Sequence, residues 1–274
     1  MADAAADILD ALSCRDPLEK ARKTRAIYAR FCDGFYHLVS PTEVPLRPGR
    51  PDKPDLMAPR FVPKRRISRG VAGRVALLHA LAHIELNAID LSLDMAVRYQ
   101  HHKLPLDFTR DWLSVADDEA RHFTLLQHRL LSLDSSYGAL PAHDGLWQAA
   151  EETKDDLLGR LAIAPLVLEA RGLDVTPILL EKFNAAEDSQ SAEILEIIMH
   201  DEVGHVATGK RWFDYQCGME RLDPISTWQG LVGKYFHGQL KPPFNISARK
   251  AARFSAAFYQ PIAQKISDTA SAAS

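Results

Sequence analysis

The chain has 274 residues, 46% hydrophobic and 25% charged, with 14 Gly and 16 Pro. These fractions exclude collagen-like, low-complexity and wholly disordered chains, and the length suits one large domain or two small ones. A formal net charge of -3 excludes a global electrostatic pull toward nucleic acid or acidic membranes.

Cys14, Cys32 and Cys217 lie far apart with no C-x-x-C pair, which fits a reducing compartment and small apolar roles. The segment Met1–Leu12 is acidic and Ala-rich, unlike the basic start of a secretory signal. The longest apolar run, Leu161–Leu168, is eight residues, short of the roughly 20 that span a membrane. The expectation is a cytoplasmic protein without a membrane partner.

Alternating β-branched patterns are nearly absent while Ala, Leu and Glu dominate long stretches, so the expected fold class is all-α. The first predicted helix covers Pro17–Cys32. Seven prolines between Pro41 and Pro63 then remove amide donors and favour extended geometry, which makes this stretch an arm. From Arg47 to Arg74 it carries nine Lys/Arg against two Asp. Four long helical patterns follow: Val71–Tyr99, Asp107–Leu131, Leu146–Arg171 and Ser189–Cys217. The third is broken near Thr153 and capped by Gly172, and Gly218 lies just past the fourth. A short helix over Thr176–Ala186 connects the last two, and Pro165 should kink the third helix or open one turn. After Asp223-Pro224 come two shorter helices separated by Lys241-Pro242-Pro243-Phe244-Asn245, and Ser267–Ser274 reads as a frayed tail. The expected organisation is an N-terminal helix and proline-rich basic arm over 1–70, a four-helix bundle over 71–218, and a C-terminal helical extension over 219–274.

Two copies of one pattern stand out: Asp118-Glu119-Ala120-Arg121-His122 and Asp201-Glu202-Val203-Gly204-His205. A three-residue helical step turns about 300° and rises about 4.5 Å, so Glu119 shares a face with His122, and Glu202 with His205. Both faces are otherwise apolar, with Trp112, Val115, Ala116, Phe123 and Leu126 in one and Leu195, Ile198, Met199 and Val206 in the other. Carboxylates and imidazoles aimed into a core need compensation, which a divalent metal supplies. Glu85 and Glu169 complete the set on apolar faces of the first and third long helices. Glu85 precedes Glu119 by 34 residues and Glu169 precedes Glu202 by 33. A helix offering Glu, then a helix offering Glu-x-x-His, twice in the same order, is the arrangement of two-metal carboxylate sites in four-helix bundles.

Charge supports this set of six. Four carboxylates balance two divalent ions, whereas four buried carboxylates alone would repel one another and raise their pKa values. Mixed imidazole and carboxylate donors suit iron or manganese, and no thiolate is placed to favour zinc. The chance expectation for Asp-Glu-x-x-His in this composition is roughly 0.04, so two copies are informative. Asp118 and Asp201 are expected to orient the ligating histidines, Asp118 toward His205 and Asp201 toward His122, against the alternative that both are solvated acids.

These motifs resemble the ferritin-like superfamily, and the Asp-Glu-Ala-Arg-His run at 118–122 is similar to that of bacterial multicomponent di-iron monooxygenases. Three segments look like a bacterial family of ferritin-like proteins of unassigned function: His79-Ala80-Leu81-Ala82-His83-Ile84-Glu85, Leu168-Glu169-Ala170-Arg171-Gly172-Leu173-Asp174, and Lys241-Pro242-Pro243-Phe244-Asn245 with Ala248-Arg249. A more distant resemblance links them to the di-iron tRNA hydroxylases. The resemblance implies O2 activation at a di-iron centre, ferroxidase action or peroxide reduction, and the fold does not choose among them. Gly204 stands where the first motif has Arg121. No tyrosine falls within a turn of the ligands, no threonine lies one turn after Glu169, and no Cys-rich iron site is present.

The expected function is a non-haem di-iron oxidoreductase that oxidises or hydroxylates an organic small molecule. Glu85, Glu119, His122, Glu169, Glu202 and His205 would hold two iron ions, or a manganese/iron pair. Its partners would be O2 or peroxide, an unidentified substrate and an unidentified electron donor. The alternatives are a ferroxidase or peroxide scavenger, or a helical binding module stabilised by metal. His79, His83, Asn87, Asp90 and Asp94 form a polar stripe opposite Glu85, read as bonded to neighbouring helices or the arm rather than as a second metal site. Lys64, Arg65, Arg66, Arg69 and Arg74 are read as a solvated or acid-paired arm rather than an RNA contact, so nucleic acid is disfavoured as a partner. Arg171 and Asp174 either line the site mouth or end a helix. The oligomeric state is left open.

Overall fold

The computed structural model describes residues 2–63 and 70–263. Their secondary structure is mostly helical, as the composition implies. The chain divides into two compact units, Met1–Glu151 with Lys182–Ile194, and Glu152–Glu181 with Leu195–Ser274.

The first unit opens with a short strand, β1 (Ala2–Asp3), paired in parallel with β2 (Tyr36–Leu38). Between them lie α1 (Ala5–Ser13) and α2 (Pro17–Cys32). The start and end of α2 match the sequence reading because Asp16 accepts the Glu19 N–H at 2.8 Å and Pro17 occupies the first turn. Helix α1 was not anticipated, although Ile8, Ala11 and Leu12 share one helical face and are all buried. Its acidic, Ala-rich composition hides a core-facing stripe only two turns long.

Helices α3 (Val71–Arg98) and α4 (Leu106–Leu131) form the centre of this unit. The Ala96 carbonyl accepts Thr109 Oγ1–H at 3.2 Å, and Glu85 lies beside His122. As α3 ascends α4 descends, so the two are antiparallel. Helix α3 is buried on nearly every side from Leu78 to Val97. By length and a mean hydropathy of 1.2 it could cross a membrane, but 72% of that window is buried inside the protein, as befits a core helix. A final helix, α5 (Gly145–Glu152), places Trp147 against Leu91.

The proline-rich arm has one 3-10 turn, Pro59–Phe61, and is otherwise irregular. It is pinned at regular intervals by ion pairs and backbone bonds. Arg47 pairs with Asp144 and Glu151, Arg50 with Asp90 at 2.9 Å, and Arg98 donates to the Pro45 carbonyl at 2.7 Å. At Gly49 any Cβ would overlap the Ser13 carbonyl, so only glycine lets the arm pass the end of α1. The arm is therefore acid-paired at Arg47, Arg50 and Lys53, while Arg60 lies over the Phe61 ring. Arg74 joins Asp188 at 3.0 Å, while Lys64, Arg65, Arg66 and Arg69 lie outside the described residues, as does the tail Ser267–Ser274.

The polar stripe of α3 is bonded within the protein. Lys20 of α2 donates to Asp90 and, at 2.8 Å, to the Gly49 carbonyl, and Arg98 closes onto Asp94 at 2.6 Å. Arg50 donates to Asn87 at 2.8 Å. His79 Nε2 accepts the Gly138 N–H at 3.0 Å. His83 sits between Tyr137 Oη (2.9 Å from Nδ1) and the His143 carbonyl (3.0 Å from Nε2). Burial pushes the His83 pKa down to about 4, so the ring is neutral: Nε2–H donates to His143 and Nδ1 accepts from Tyr137. With their ring nitrogens engaged this way, His79 and His83 are not arranged as a chelating pair.

The second unit contains α6 (Leu157–Ile163), a π-helical turn (Ala164–Glu169), α7 (Ala170–Ala185) and α8 (Ser189–Glu220) apart from their adjoining ends over 182–194, which belong to the first unit, then α9 (Pro224–Tyr235) and α10 (Ile246–Ala251). Asp156, Asp223 and Asn245 cap α6, α9 and α10 by accepting the N–H of the third residue on. Pro165 opens one turn as expected, because it has no N–H to continue the α-helical ladder. Two expected helix ends are corrected. Gly172 does not cap a helix, since α7 runs through it and through Pro177 to Ala185, absorbing the separate helix expected over Thr176–Ala186. Gly218 likewise lies inside α8. The left-handed capping residues are Glu187 (φ 57) and Arg221 (φ 56), followed by bonds from Asp188 N–H to the Phe183 carbonyl and from Leu222 N–H to the Cys217 carbonyl. Glycine enrichment at such caps is a preference, and both helices continue past the glycine here.

Candidate metal centre

In the first unit, α3 presents Glu85 and α4 presents Glu119 and His122. All three are buried, with 3%, 0% and 0% of their surface exposed. His122 Nδ1 lies 3.3 Å from Glu85 Oε2 and 3.4 Å from Glu119 Oε2. One donor atom from each residue falls within 4.8 Å of the others, a spacing that could hold a metal ion. The i,i+3 relation predicted from the sequence is thus realised as a convergent trio, with Glu85 arriving from the antiparallel neighbour.

The electrostatics fit a cation. Burial, then the neighbouring Glu119 charge, pushes the Glu85 carboxyl up to about 8, while His122 pulls it the other way. One imidazole can offer at most one positive charge against two carboxylates. Carboxylate oxygens with one imidazole nitrogen form a donor set suited to iron, manganese or zinc, so the residues present fit a divalent metal.

In the second unit, Glu202 and His205 of α8 are buried, with His205 Nδ1 3.8 Å from Glu202 Oε2. Glu169 is the last residue of the π-helical turn. A π-turn shifts the register of everything after it, and such turns often occur at functional sites. Gly172, one turn past Glu169, borders Glu202: a Cβ there would stand 3.8 Å from the Glu202 carboxyl carbon. The face of α7 that carries Gly172 is therefore turned to Glu202. One turn beyond His205, a Cβ on Gly209 would overlap the Pro165 ring, so glycine lets α8 pack directly on the π-turn.

Of the six predicted ligands, Glu85, Glu119 and His122 converge, Glu202 and His205 are buried side by side on α8, and Glu169 is half-buried. Asp118 accepts from Arg121 on its own helix at 3.2 Å and is half-buried, as is Asp201. Arg171 and Asp174 neither end a helix nor stand idle. Arg171 donates to the Lys241 carbonyl at 2.7 Å, and buried Asp174 takes a two-pronged bond from buried Arg249. They tie α7 to the Lys241–Asn245 segment.

One residue that the sequence reading passed over is Tyr137. Its ring stacks on His79 and His83, with centroids 5.4 and 6.0 Å away, and meets Phe123 edge-on at 5.4 Å, next to ligand candidate His122. It sits in a loop without periodicity, so no pattern marked it.

A family profile described as a protein of unknown function (DUF455) matches residues 13–260. A relative from Haemophilus influenzae (strain ATCC 51907 / DSM 11121 / KW20 / Rd), described as an uncharacterised protein, is 38% identical over 258 residues, covering 89% of this chain and 88% of its own. No solved structure matches the chain.

Proposed function

The chain belongs to the DUF455 family, and from its buried Glu/His sets we propose that it is a ferritin-like, two-metal carboxylate oxidoreductase acting on an organic small molecule. The observation that carries the reading is the trio Glu85, Glu119 and His122, buried and convergent, and the sequence repeats its pattern in Glu169, Glu202 and His205. In this reading α3, α4, α7 and α8 act as a ferritin-like four-helix bundle whose six side chains hold two iron ions, or manganese with iron.

Such a pair supplies electrons and open coordination positions for reducing O2 or peroxide. The protein's own residues set the conditions. The carboxylates supply compensating negative charge, and Glu85, protonated near neutral pH without a cation, gives up its proton on metal binding. His122 turns Nδ1 to the carboxylates, leaving Nε2 for an orienting acceptor, a role assigned to Asp201, with Asp118 serving His205. The apolar neighbours Ala88, Val115, Ala116 and Phe123 exclude water.

Anaerobic Fe(II) loading with metal analysis, followed by O2 and rapid-scan absorption, tests the proposal. About two metals per chain and an absorption change on O2 addition are expected. Fewer than about one metal per chain would overturn it. Catalytic consumption of Fe(II) with no organic substrate would favour a ferroxidase instead, and metals inert to O2 a structural role.

A further inference from the structure

Along the facing surfaces of α3 and α4 the polar side chains come in layers. The first layer is the Glu85, Glu119 and His122 trio. The last is satisfied within the protein: Thr109 Oγ1–H donates to the Ala96 carbonyl at 3.2 Å and accepts from Gln100 at 2.9 Å. Between them, Ser92 lies seven residues after Glu85 and Trp112 seven residues before Glu119, which is two turns, or about 10 Å, along each helix. Because the helices are antiparallel, with contacts at 85/122 and 96/109 bracketing the interval, Ser92 and Trp112 fall at the same level on the same faces as the trio. Both are almost wholly buried, at 1% and 2% exposure, yet neither Ser92 Oγ nor Trp112 Nε1 has a hydrogen-bond partner among the described residues.

A buried hydroxyl and a buried indole N–H left unsatisfied on adjacent helices, at one level, are unusual in a protein core. Serine on a helix can turn back to the carbonyl one turn earlier, as Thr24 and Thr124 do here, and Ser92 does not. The interval between this pair and the trio is lined on α3 by Ala88 and Ile89 and on α4 by Val115 and Ala116, all buried and all apolar. The result is an apolar stretch with a metal-type donor set at one end and two vacant hydrogen-bonding groups at the other.

We infer that Ser92 and Trp112 form an anchoring subsite for the oxygen of an elongated, otherwise apolar molecule bearing a hydroxyl or carbonyl group. The indole N–H donates to that oxygen, and Ser92 Oγ donates to it or accepts from its hydroxyl. Two turns of helix set the spacing, so the anchored molecule presents a carbon several bonds from its polar end to the trio. The subsite stands on Ser92 and Trp112 alone; the statement about what the far end meets rests on the two-metal reading.

The test uses the full chain, metal-free and loaded with diamagnetic zinc, with heptan-1-ol as probe and 1-chlorohexane as a similarly shaped control lacking a hydroxyl. The readout is the indole 1H–15N resonance of Trp112, assigned by its loss in Trp112→Phe. Heptan-1-ol should shift it saturably and bind about tenfold more tightly than 1-chlorohexane, the size of one hydrogen bond, and Ser92→Ala should remove that preference. An unshifted resonance, equal affinities, or a preference that survives Ser92→Ala would overturn the subsite. If Ser92→Ala does not fold, a crystal structure of the wild-type protein decides: an ordered oxygen bonded to both Ser92 Oγ and Trp112 Nε1 supports the subsite, and both atoms bonded instead to protein groups overturns it. Heptan-1-ol binding without zinc uptake would leave the subsite standing and the metal reading fallen. Zinc uptake without heptan-1-ol binding would do the reverse.

Discussion

His122 Nδ1 faces two buried carboxylates at once, Glu85 at 3.3 Å and Glu119 at 3.4 Å, drawn from adjacent antiparallel helices. Without a cation this is a destabilising arrangement held in place by the helices around it. The same geometry that lowers stability without a cation could hold one.

Glu119→Gln separates these two effects because they have opposite signs. It keeps the shape and replaces a buried carboxyl by a neutral amide, so the metal-free variant should unfold at a free energy equal to or about 1 kcal/mol above wild type. Wild type should gain about 2.7 kcal/mol from Mn(II) at 100 times its dissociation constant, and the variant should gain almost none. Thermal unfolding with and without metal measures both. A variant that is destabilised when metal-free and still stabilised by Mn(II) would show that Glu119 is not a ligand.

Two glycines of α8, five residues apart, should respond oppositely to alanine. Gly204 is exposed with nothing near its would-be Cβ, so Gly204→Ala should stabilise the helix by about 0.5–1 kcal/mol. Gly209 meets the Pro165 ring, so Gly209→Ala should cost about 1–3 kcal/mol by overpacking and displace the π-turn that carries Glu169. Denaturant unfolding gives both values, and a neutral Gly209→Ala would mean that α8 does not pack directly on the Pro165 ring.

Asp188 collects Arg129 at 2.7 Å, Arg74 at 3.0 Å and the Ser191 N–H at 3.1 Å. Burial pulls its pKa up, but the bonds from Ser191 and Arg74, with the Arg129 charge, outweigh it and hold the carboxyl below its ordinary value. A carboxyl whose folded pKa is depressed contributes stability above its unfolded pKa and loses it as pH falls through the folded one. Asp188→Asn should therefore cost about 3 kcal/mol near pH 7, and the gap to wild type should narrow below about pH 4. A pH series of urea melts shows this, and a gap constant down to about pH 2 would contradict the ion-pair origin.

Arg249 gives Asp174 a two-pronged bond and lies over the rings of Tyr259, Phe244 and Phe254, with centroids 4.4, 5.1 and 5.4 Å away. Lysine keeps the charge but has neither the planar fork nor the stacking surface. Arg249→Lys should cost about 2 kcal/mol or more, read from the denaturation midpoint. A loss near zero would mean that charge alone holds α10 to α7.

The sequence by itself determined the helical class, the spans of α2, α3 and α4 to within a residue, the opened turn at Pro165, and the pairing of Glu119 with His122 and of Glu202 with His205. Each of these is written in local periodicity or in a proline, and spacings of three and four residues on a helix follow from its pitch alone. Only tertiary structure decided that Glu85 converges on His122, that Gly172 and Gly218 lie inside helices, that Asp188 gathers three partners, and that Tyr137 stacks against the α3 histidines. Those facts depend on which surfaces meet across 37 to 114 residues of chain. Such meetings are set by the burial of whole helix faces, which no short window of sequence contains.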